Sequence, residues 1–122
     1  MRLKVIENLE LKVHYMNLQN DPFNKIFARS KTIEMRLFDE KRQALKIGDI
    51  IIFTNSLNGN ILKCEIINLY QFSSFEELYS RFDPIKLGYN EGDVVDYHDM
   101  EQYYPKDLIT KYGVLGIEVK VL

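Results

Sequence analysis

The sequence predicts an α+β fold in which short helices pack around a small, mixed β-barrel. Five segments have the apolar patterns of β-strands, and three or four shorter segments carry helix start and stop signals. The two kinds of element follow one another in mixed order, which favours a barrel with helices on it. A chain of 122 residues can form a core without metals or disulfides, so we expect residues 1–122 to be a single domain.

The first strand and the first helix are predicted near the N-terminus. Residues 10–16 alternate between apolar and polar positions, as a half-buried strand does. Asn20 or Asp21 is expected to cap a short helix that has Pro22 in its first turn and ends near residue 30.

Two further strands are predicted before the middle of the chain, over residues 31–38 and 50–54. Between them, residues 39–45 are polar and fit either a short helix or an irregular excursion. Gly48-Asp49 is expected to form the turn that leads into the second, strongly apolar strand.

A hairpin signal follows that apolar strand. Asn58-Gly59 is expected to join it to a long strand over residues 61–72. Ser73 or Ser74 is predicted to cap the next helix, and Asp83-Pro84 to end it.

The last predicted elements are a loop, a helix and a strand. Residues 84–104 are irregular and are expected to form a loop with one or two short helices. A helix over residues 106–112 ends at Gly113, and a final strand covers residues 114–121.

The polar side chains of the strand over residues 31–38 are the most informative feature for function. Thr32, Glu34 and Arg36 share one face of this strand. The alternate positions are apolar: Ile33, Met35 and Leu37. We expect the apolar set to face the core and the polar set to face a cleft or solvent, where Glu34 and Arg36 also fit a plain surface salt bridge. Lys31 is out of phase and joins Glu34 and Arg36 only if it lies at the junction between helix and strand.

The distribution of charge limits the possible partners. The formal net charge is −2, which argues against a surface for extended duplex DNA. Residues 25–46 nevertheless carry seven basic and three acidic side chains, a net charge of +4, against −6 for the rest of the chain. Such a local basic patch can hold a phosphate or a short single strand.

The cysteine and histidine content argues against a disulfide or metal framework. Cys64 is the only cysteine, and the sequence pattern leads us to expect neither a signal peptide nor a membrane-spanning segment. We therefore expect a cytoplasmic protein without a membrane partner. His98 and Glu101 have a spacing that suits two metal ligands but lack a third, so neither a metal nor another cofactor is expected.

Several motifs are distributed over most of the chain. The most specific is the run Lys31-Thr32-Ile33-Glu34-Met35-Arg36 with the Gly48-Asp49 turn that follows it. Supporting motifs are Pro22-Phe23-x-x-Ile26, Leu37, Lys41-Arg42, Leu45 and Lys111-Tyr112-Gly113-Val114. Together they resemble the ASCH domain family of the PUA-like superfamily, from about residue 10 to the C-terminus. The resemblance implies a small PUA-like barrel, a cleft beside the polar strand, and a role in binding RNA or a modified nucleotide.

The residue types also fit nucleotide binding on chemical grounds. Lys31 and Arg36 can hold a phosphate or a base carbonyl, and Glu34 can accept a hydrogen bond from an exocyclic amine. One of Tyr97, Tyr103 and Tyr104 can stack on an unpaired base, although most of the eight tyrosines are expected to fill the core and its rim. The predicted ligand-binding set is Lys31, Thr32, Glu34, Arg36 and Tyr104.

A small hydrolase is the alternative function, and a scaffold with a merely solvated polar strand is a third. One branch of the family that the chain resembles removes the acetyl group from acetylated cytidine with a Lys, a Thr and a distant Glu; ribonuclease activity is proposed for other members. Lys31 matches that Lys, but Glu34 stands where the branch has its Thr. We expect Glu34 to stabilise the Lys31 cation and so weaken it as a base. Lys31 and Glu34 are therefore catalytic candidates only if the protein is an enzyme. The distant carboxylate would be one of five: Glu91, Asp93, Asp96, Asp99 or Glu101.

Overall fold

The structure is a computed structural model that describes residues 11–122, which contain five strands and six short helices. The strands are β1 (Val13–Leu18), β2 (Ile33–Leu37), β3 (Ile50–Asn55), β4 (Ile61–Phe72) and β5 (Val114–Val121). The helices are α1 (Asn20–Phe27), α2 (Glu40–Gln43), α3 (Phe75–Arg81), α4 (Pro84–Leu87), a 3₁₀ helix (Tyr97–Gln102) and α5 (Lys106–Tyr112). None of the helices described here has the length and apolar character that a membrane crossing needs.

The five strands form one mixed, curled sheet in the order β1-β3-β4-β5-β2. β1 runs parallel to β3, and the other neighbours are antiparallel. A register shift between Ile66 and Asn68 leaves Ile67 as a bulge in the long strand β4, which increases local twist. The sheet is a half-barrel whose open seam lies between the two edge strands, β1 and β2. The predicted small α+β barrel with packed helices is confirmed.

Both faces of the sheet are covered, because the described residues form two apolar cores. The first core includes the apolar face of α1 and the inner positions of β3 and β4. The second lies under α3, α4 and the 3₁₀ helix and includes Ile33, Met35 and Leu37. Glu34 and Arg36 pair with Ile117 and Leu115 of β5, two members of the first core, and directly paired residues share a face. The polar side chains of β2 therefore lie on the face of the first core, at the open seam, rather than on a solvated outer surface.

Most predicted elements are present, with corrections at the N-terminal end. β1 covers residues 13–18 instead of 10–16; residue 10 lies outside the described residues. Gln19, not Asn20 or Asp21, is the cap of α1, and its side chain makes no capping hydrogen bond. The Asn20 side chain instead accepts a hydrogen bond of 2.9 Å from the Asn55 amide, so a tertiary contact replaces the predicted cap. Pro22 lies in the first turn as expected, where its missing N–H leaves no helical bond unmade.

The connecting segments resolve the alternatives that the sequence allows. Residues 40–43 form a helix because the Asp39 side chain accepts a hydrogen bond from the Arg42 amide. β3 and β4 form the predicted hairpin, with a loop that extends over residues 56–60 and contains Asn58-Gly59. Pro84 both ends α3 and begins α4, since Asp83 caps the new helix. Together with the 3₁₀ helix, α4 accounts for the one or two short helices expected in residues 84–104.

Candidate functional site

A cavity of about 560 Å³ opens between the end of β1, the start of α1, β2 and residues 87–104. Lys31, Glu34 and Arg36 line its floor. Aromatic side chains form much of its wall: Tyr79, Tyr89, Tyr103 and Tyr104. Its volume lies within the range of about 300–1,000 Å³ that is typical of small-molecule sites.

The three floor residues form one buried ionic cluster. Lys31 Nζ lies 3.3 Å from Glu34 Oε1, and Arg36 Nε donates a hydrogen bond of 2.7 Å to Glu34 Oε2. Only 5% of Lys31 and 6% of Glu34 is exposed. This is not a surface salt bridge, because both oxygens of Glu34 are engaged by cations inside the protein.

Lys31 reaches the cluster because it lies before the strand rather than in it. β2 begins at Ile33, so the two-residue period does not fix the direction of Lys31. Its Nζ also donates a hydrogen bond of 2.9 Å to the Leu87 carbonyl at the end of α4. The side chain is confined by Gly88, where an added Cβ would lie 3.2 Å from Lys31 Cδ. Lys31 therefore lies at the junction between helix and strand, the position it needs in order to join Glu34 and Arg36.

Burial and ion pairing act in opposite directions on the cluster. Burial lowers the pKa of Lys31, and it outweighs the opposite effect of Glu34. Burial alone would raise the pKa of Glu34, but the Lys31 and Arg36 cations hold it below its ordinary value. Burial alone would lower the pKa of Arg36, which the Glu34 carboxylate nevertheless raises. Glu34 thus raises the pKa of Lys31, as predicted. Burial lowers that pKa by more, so Lys31 is more easily deprotonated than an ordinary lysine.

The other two predicted ligand-binding residues occupy different positions. Tyr104 lines the cavity, and its ring stacks on Phe75 with centroids 6.0 Å apart. Burial raises the pKa of Tyr104, so its hydroxyl is protonated. Thr32 does not line the cavity; its amide donates to the Lys86 carbonyl and its carbonyl accepts from the Val119 amide.

Among the other candidate tyrosines, Tyr103 lines the cavity and is half exposed. Tyr97 instead lines a separate hollow of about 230 Å³ and stacks on His98. His98 pairs with Asp96 at 2.7 Å. Within residues 11–122 no group of three or more His, Cys, Asp and Glu side chains is placed to hold a metal ion.

None of the five late carboxylates lines the cavity. Asp99 is linked to the cavity indirectly, through Tyr89. Its Oδ2 accepts a hydrogen bond of 2.6 Å from the Tyr89 hydroxyl, and Tyr89 lines the cavity. The carboxylates that line the cavity are Glu34 and Asp21. Asp21 is paired with Lys25 at 2.9 Å, and its side chain is largely exposed.

Several residues that line the cavity could not be predicted from sequence patterns. Tyr79 and Tyr89 are joined by hydroxyls 2.9 Å apart, but they lie on α3 and after α4, in segments read as core and loop. The Asn17 carbonyl accepts a hydrogen bond of 2.8 Å from Arg36 Nη2, a role that any residue type can fill. Gly88 is recognisable only as a glycine in an irregular segment.

The chain is similar to a protein family and to several solved structures. The family model described as "ASCH domain" matches residues 16–122. The crystal structure of "hypothetical protein PH0355" is 32% identical with a TM-score of 0.77, and the match covers 90% of this chain and 99% of that one. The solution structure of protein PF0455 from Pyrococcus furiosus is 31% identical with a TM-score of 0.69, covering 90% and 97%. The ZmASCH S128A mutant protein from Zymomonas mobilis is 14% identical with a TM-score of 0.64, covering 89% and 68%, which is a likeness of fold. No curated protein matches the chain significantly.

Proposed function

The chain belongs to the ASCH domain family, and we propose from this premise that it binds RNA or a nucleotide in the cavity beside β2. The observation that carries the proposal is the convergence of Lys31, Glu34 and Arg36 on the floor of a tyrosine-walled cavity. Cationic N–H donors suit phosphate and base carbonyls, and aromatic walls suit unpaired bases. The net charge of −2 makes an extended duplex an unsuitable ligand.

The test compares two arginine substitutions by titration with a short single-stranded RNA. Arg36→Gln removes a floor cation, so we expect RNA affinity to fall about tenfold or more, since a charge-assisted contact of this kind contributes roughly 1.5–3 kcal/mol. Arg81→Gln is the matched control, because Arg81 is exposed at the end of α3 and does not line the cavity. Equal losses in the two variants would indicate diffuse attraction to surface charge and contradict the proposal.

A small hydrolase acting in the same cavity is the second candidate. The observation that favours it is the buried Lys31 amine, because burial lowers the pKa of Lys31 and makes the free base more accessible. Glu34 in place of the expected threonine weighs against an amidohydrolase, as does a cavity lined by none of the five late carboxylates. Incubation with acetylated cytidine should release cytidine if this candidate is right, and Lys31→Ala should abolish the release. Incubation with a single-stranded RNA tests the ribonuclease form in the same way.

The proposed location is the cytoplasm. Cys64 is fully buried and burial raises the pKa of its thiol to about 11, so it stays reduced and inert as a small core residue. That state suits a reducing compartment.

A further inference from the structure

We infer that the cavity floor is matched to a single negative charge, and that its ligand is the internal phosphodiester of single-stranded RNA rather than a terminal phosphate. The inference rests on the proposed function and narrows it to one chemical group. It follows from the charges that line the cavity, from the N–H donors left free on the floor, and from the depth at which they lie.

The floor cluster carries one uncompensated positive charge. Protonated Lys31 and Arg36 share the single carboxylate of Glu34, and all three side chains are buried or nearly so. Asp39, the next carboxylate along the chain, is paired with Arg42 at 3.3 Å and does not supply the missing anion. Asp21, the other charged residue of the lining, is paired with Lys25 at 2.9 Å.

Most of the free hydrogen-bonding capacity of the cluster consists of donors. Glu34 accepts from a cation at each oxygen. Lys31 uses two of its three protons, toward Glu34 and the Leu87 carbonyl. Arg36 has five N–H groups, of which Nε and one on Nη2 are engaged. Three N–H groups of Arg36 and one of Lys31 therefore remain for an acceptor-rich anion, whereas an exocyclic amine would have to compete with these two cations for the Glu34 oxygens.

The burial of the cluster makes the amount of ligand charge important. A phosphodiester carries one negative charge and would bring the cluster to neutrality. A terminal phosphate carries about −1.5 to −2 at neutral pH, so it would leave an excess negative charge in a site shielded from water. Uncompensated charge is costly in such surroundings. The partly exposed Tyr103 at the same cavity provides a face for a base attached to that diester.

The experiment measures binding of three trinucleotides to the full chain by calorimetry. The first has hydroxyl groups at both ends, the second has neutral methylphosphonate linkages, and the third carries an added 5′-phosphate. We expect the neutral analogue to bind at least about tenfold more weakly than the first, and the 5′-phosphate to change affinity by less than about threefold. If the neutral analogue binds as tightly as the diester, the inference is overturned while the proposed function stands. If none of the three binds, the proposed function falls and the inference falls with it.

Two substitutions test whether the discrimination comes from the floor. Lys31→Met leaves Arg36 and Glu34 as a neutral pair, so the difference between diester and methylphosphonate should shrink to about threefold or less. Glu34→Gln raises the cluster charge to +2 and should turn the preference toward the 5′-phosphate. Lys63→Met is the control, since Lys63 is exposed on β4 away from the cavity, and it should keep the wild-type discrimination. If a folded Lys31→Met protein discriminates between diester and methylphosphonate as the wild type does, the inference is overturned. The Lys31→Met result is sufficient by itself if Glu34→Gln does not fold.

Discussion

Arg36 donates a hydrogen bond of 2.8 Å from Nη2 to the carbonyl of Asn17, so one guanidinium joins the two edge strands of the sheet. Nε of the same side chain holds Glu34 at 2.7 Å. A planar guanidinium can make both contacts at once because its N–H groups point in fixed, divergent directions. Arg36 therefore orients the buried carboxylate and also bridges the open seam between β1 and β2.

Arg36→Lys should be damaging although it keeps the charge. A single ammonium on a flexible stem cannot reproduce both the Glu34 and the Asn17 contact in their present directions. We expect a loss of roughly 1–3 kcal/mol in the free energy of unfolding, measured by urea denaturation, and weaker RNA binding. Arg81→Lys on the exposed end of α3 is the control; Arg81 Cζ lies 5.6 Å from the centroid of the Phe72 ring, and a lysine there should change stability by less than about 1 kcal/mol. Wild-type stability in Arg36→Lys would mean that only the charge of Arg36 matters.

Gly88→Ala should displace Lys31. Gly88 has φ of +111°, a conformation that L side chains rarely adopt, and an added Cβ would lie 3.2 Å from Lys31 Cδ. The backbone strain alone is expected to cost about 1–3 kcal/mol of stability. The contact with Lys31 adds a loss of RNA affinity, because the Nζ can no longer hold its position between Glu34 and Leu87.

Gly92→Ala separates the two effects of that substitution. Gly92 also has a positive φ, of +87°, but no atom lies within 4 Å of an added Cβ. Its variant should lose stability and keep RNA affinity. Equal binding by both folded variants would show that the position of Lys31 is not needed for the ligand.

Asp49→Asn should lower stability at neutral pH by about 1–3 kcal/mol. The buried Asp49 accepts hydrogen bonds from the ring of His14 at 2.8 Å and from the backbone amides of Lys12 and Lys46. Burial alone would raise the pKa of Asp49, but these hydrogen bonds hold it below its ordinary value. An asparagine keeps only one acceptor oxygen and points an amide group at donors.

The lowered pKa fixes the pH at which this stability is lost. A carboxyl group with a depressed folded pKa contributes fully above its unfolded value of about 3.9 and loses that contribution as the pH falls through the folded value. The stability difference between wild type and Asp49→Asn should therefore be present at pH 5 and shrink as the pH falls below about 4. Urea denaturation at several pH values measures it, and Glu91→Gln, at an exposed carboxylate, is the control. A difference that grows between pH 4 and pH 2 would contradict this assignment.

The strands were predictable because their signals are local, whereas the assembly of the cavity was not. The two-residue period placed Glu34 and Arg36 on one face of β2, and no tertiary contact alters that. That face joins the first core because β2 pairs with Leu115 and Ile117, some eighty residues later in the chain. The alternation of residues within β2 carries no information about this pairing.

Positions outside regular elements were the least predictable. Lys31 precedes β2, so its direction is set by Leu87 and Gly88 of a distant segment. The cap of α1 was predicted wrongly because the Asn20 side chain binds Asn55, a partner that no local pattern indicates. Tertiary hydrogen bonds decided both positions, and they join segments that are far apart in the sequence.

Tyr79 and Tyr89 should be energetically coupled, because their hydroxyls share one hydrogen bond in the cavity wall. The Tyr89 proton is directed to Asp99 Oδ2 at 2.6 Å or to the Asp96 carbonyl at 3.0 Å, so Tyr79 is the donor in the 2.9 Å contact between the two rings. Burial, with a smaller effect of Tyr89, raises the pKa of Tyr79 and keeps it protonated for that role.

Tyr89→Phe leaves the Tyr79 hydroxyl without its acceptor and should cost about 1–3 kcal/mol, whereas Tyr79→Phe removes the donor and should cost about 0.5–1.5 kcal/mol. The double substitution should cost less than the sum of the two by roughly 1 kcal/mol, since it leaves no unpaired donor behind. Urea denaturation of the four proteins gives the coupling. Tyr112→Phe is the control, because the Tyr112 hydroxyl lies 3.4 Å from Glu40 Oε1 and takes no part in the hydrogen bonds of Tyr79 and Tyr89. Its stability loss should add to that of Tyr79→Phe. Additivity of Tyr79→Phe with Tyr89→Phe within about 0.3 kcal/mol would mean that the two hydroxyls do not hold the cavity wall together.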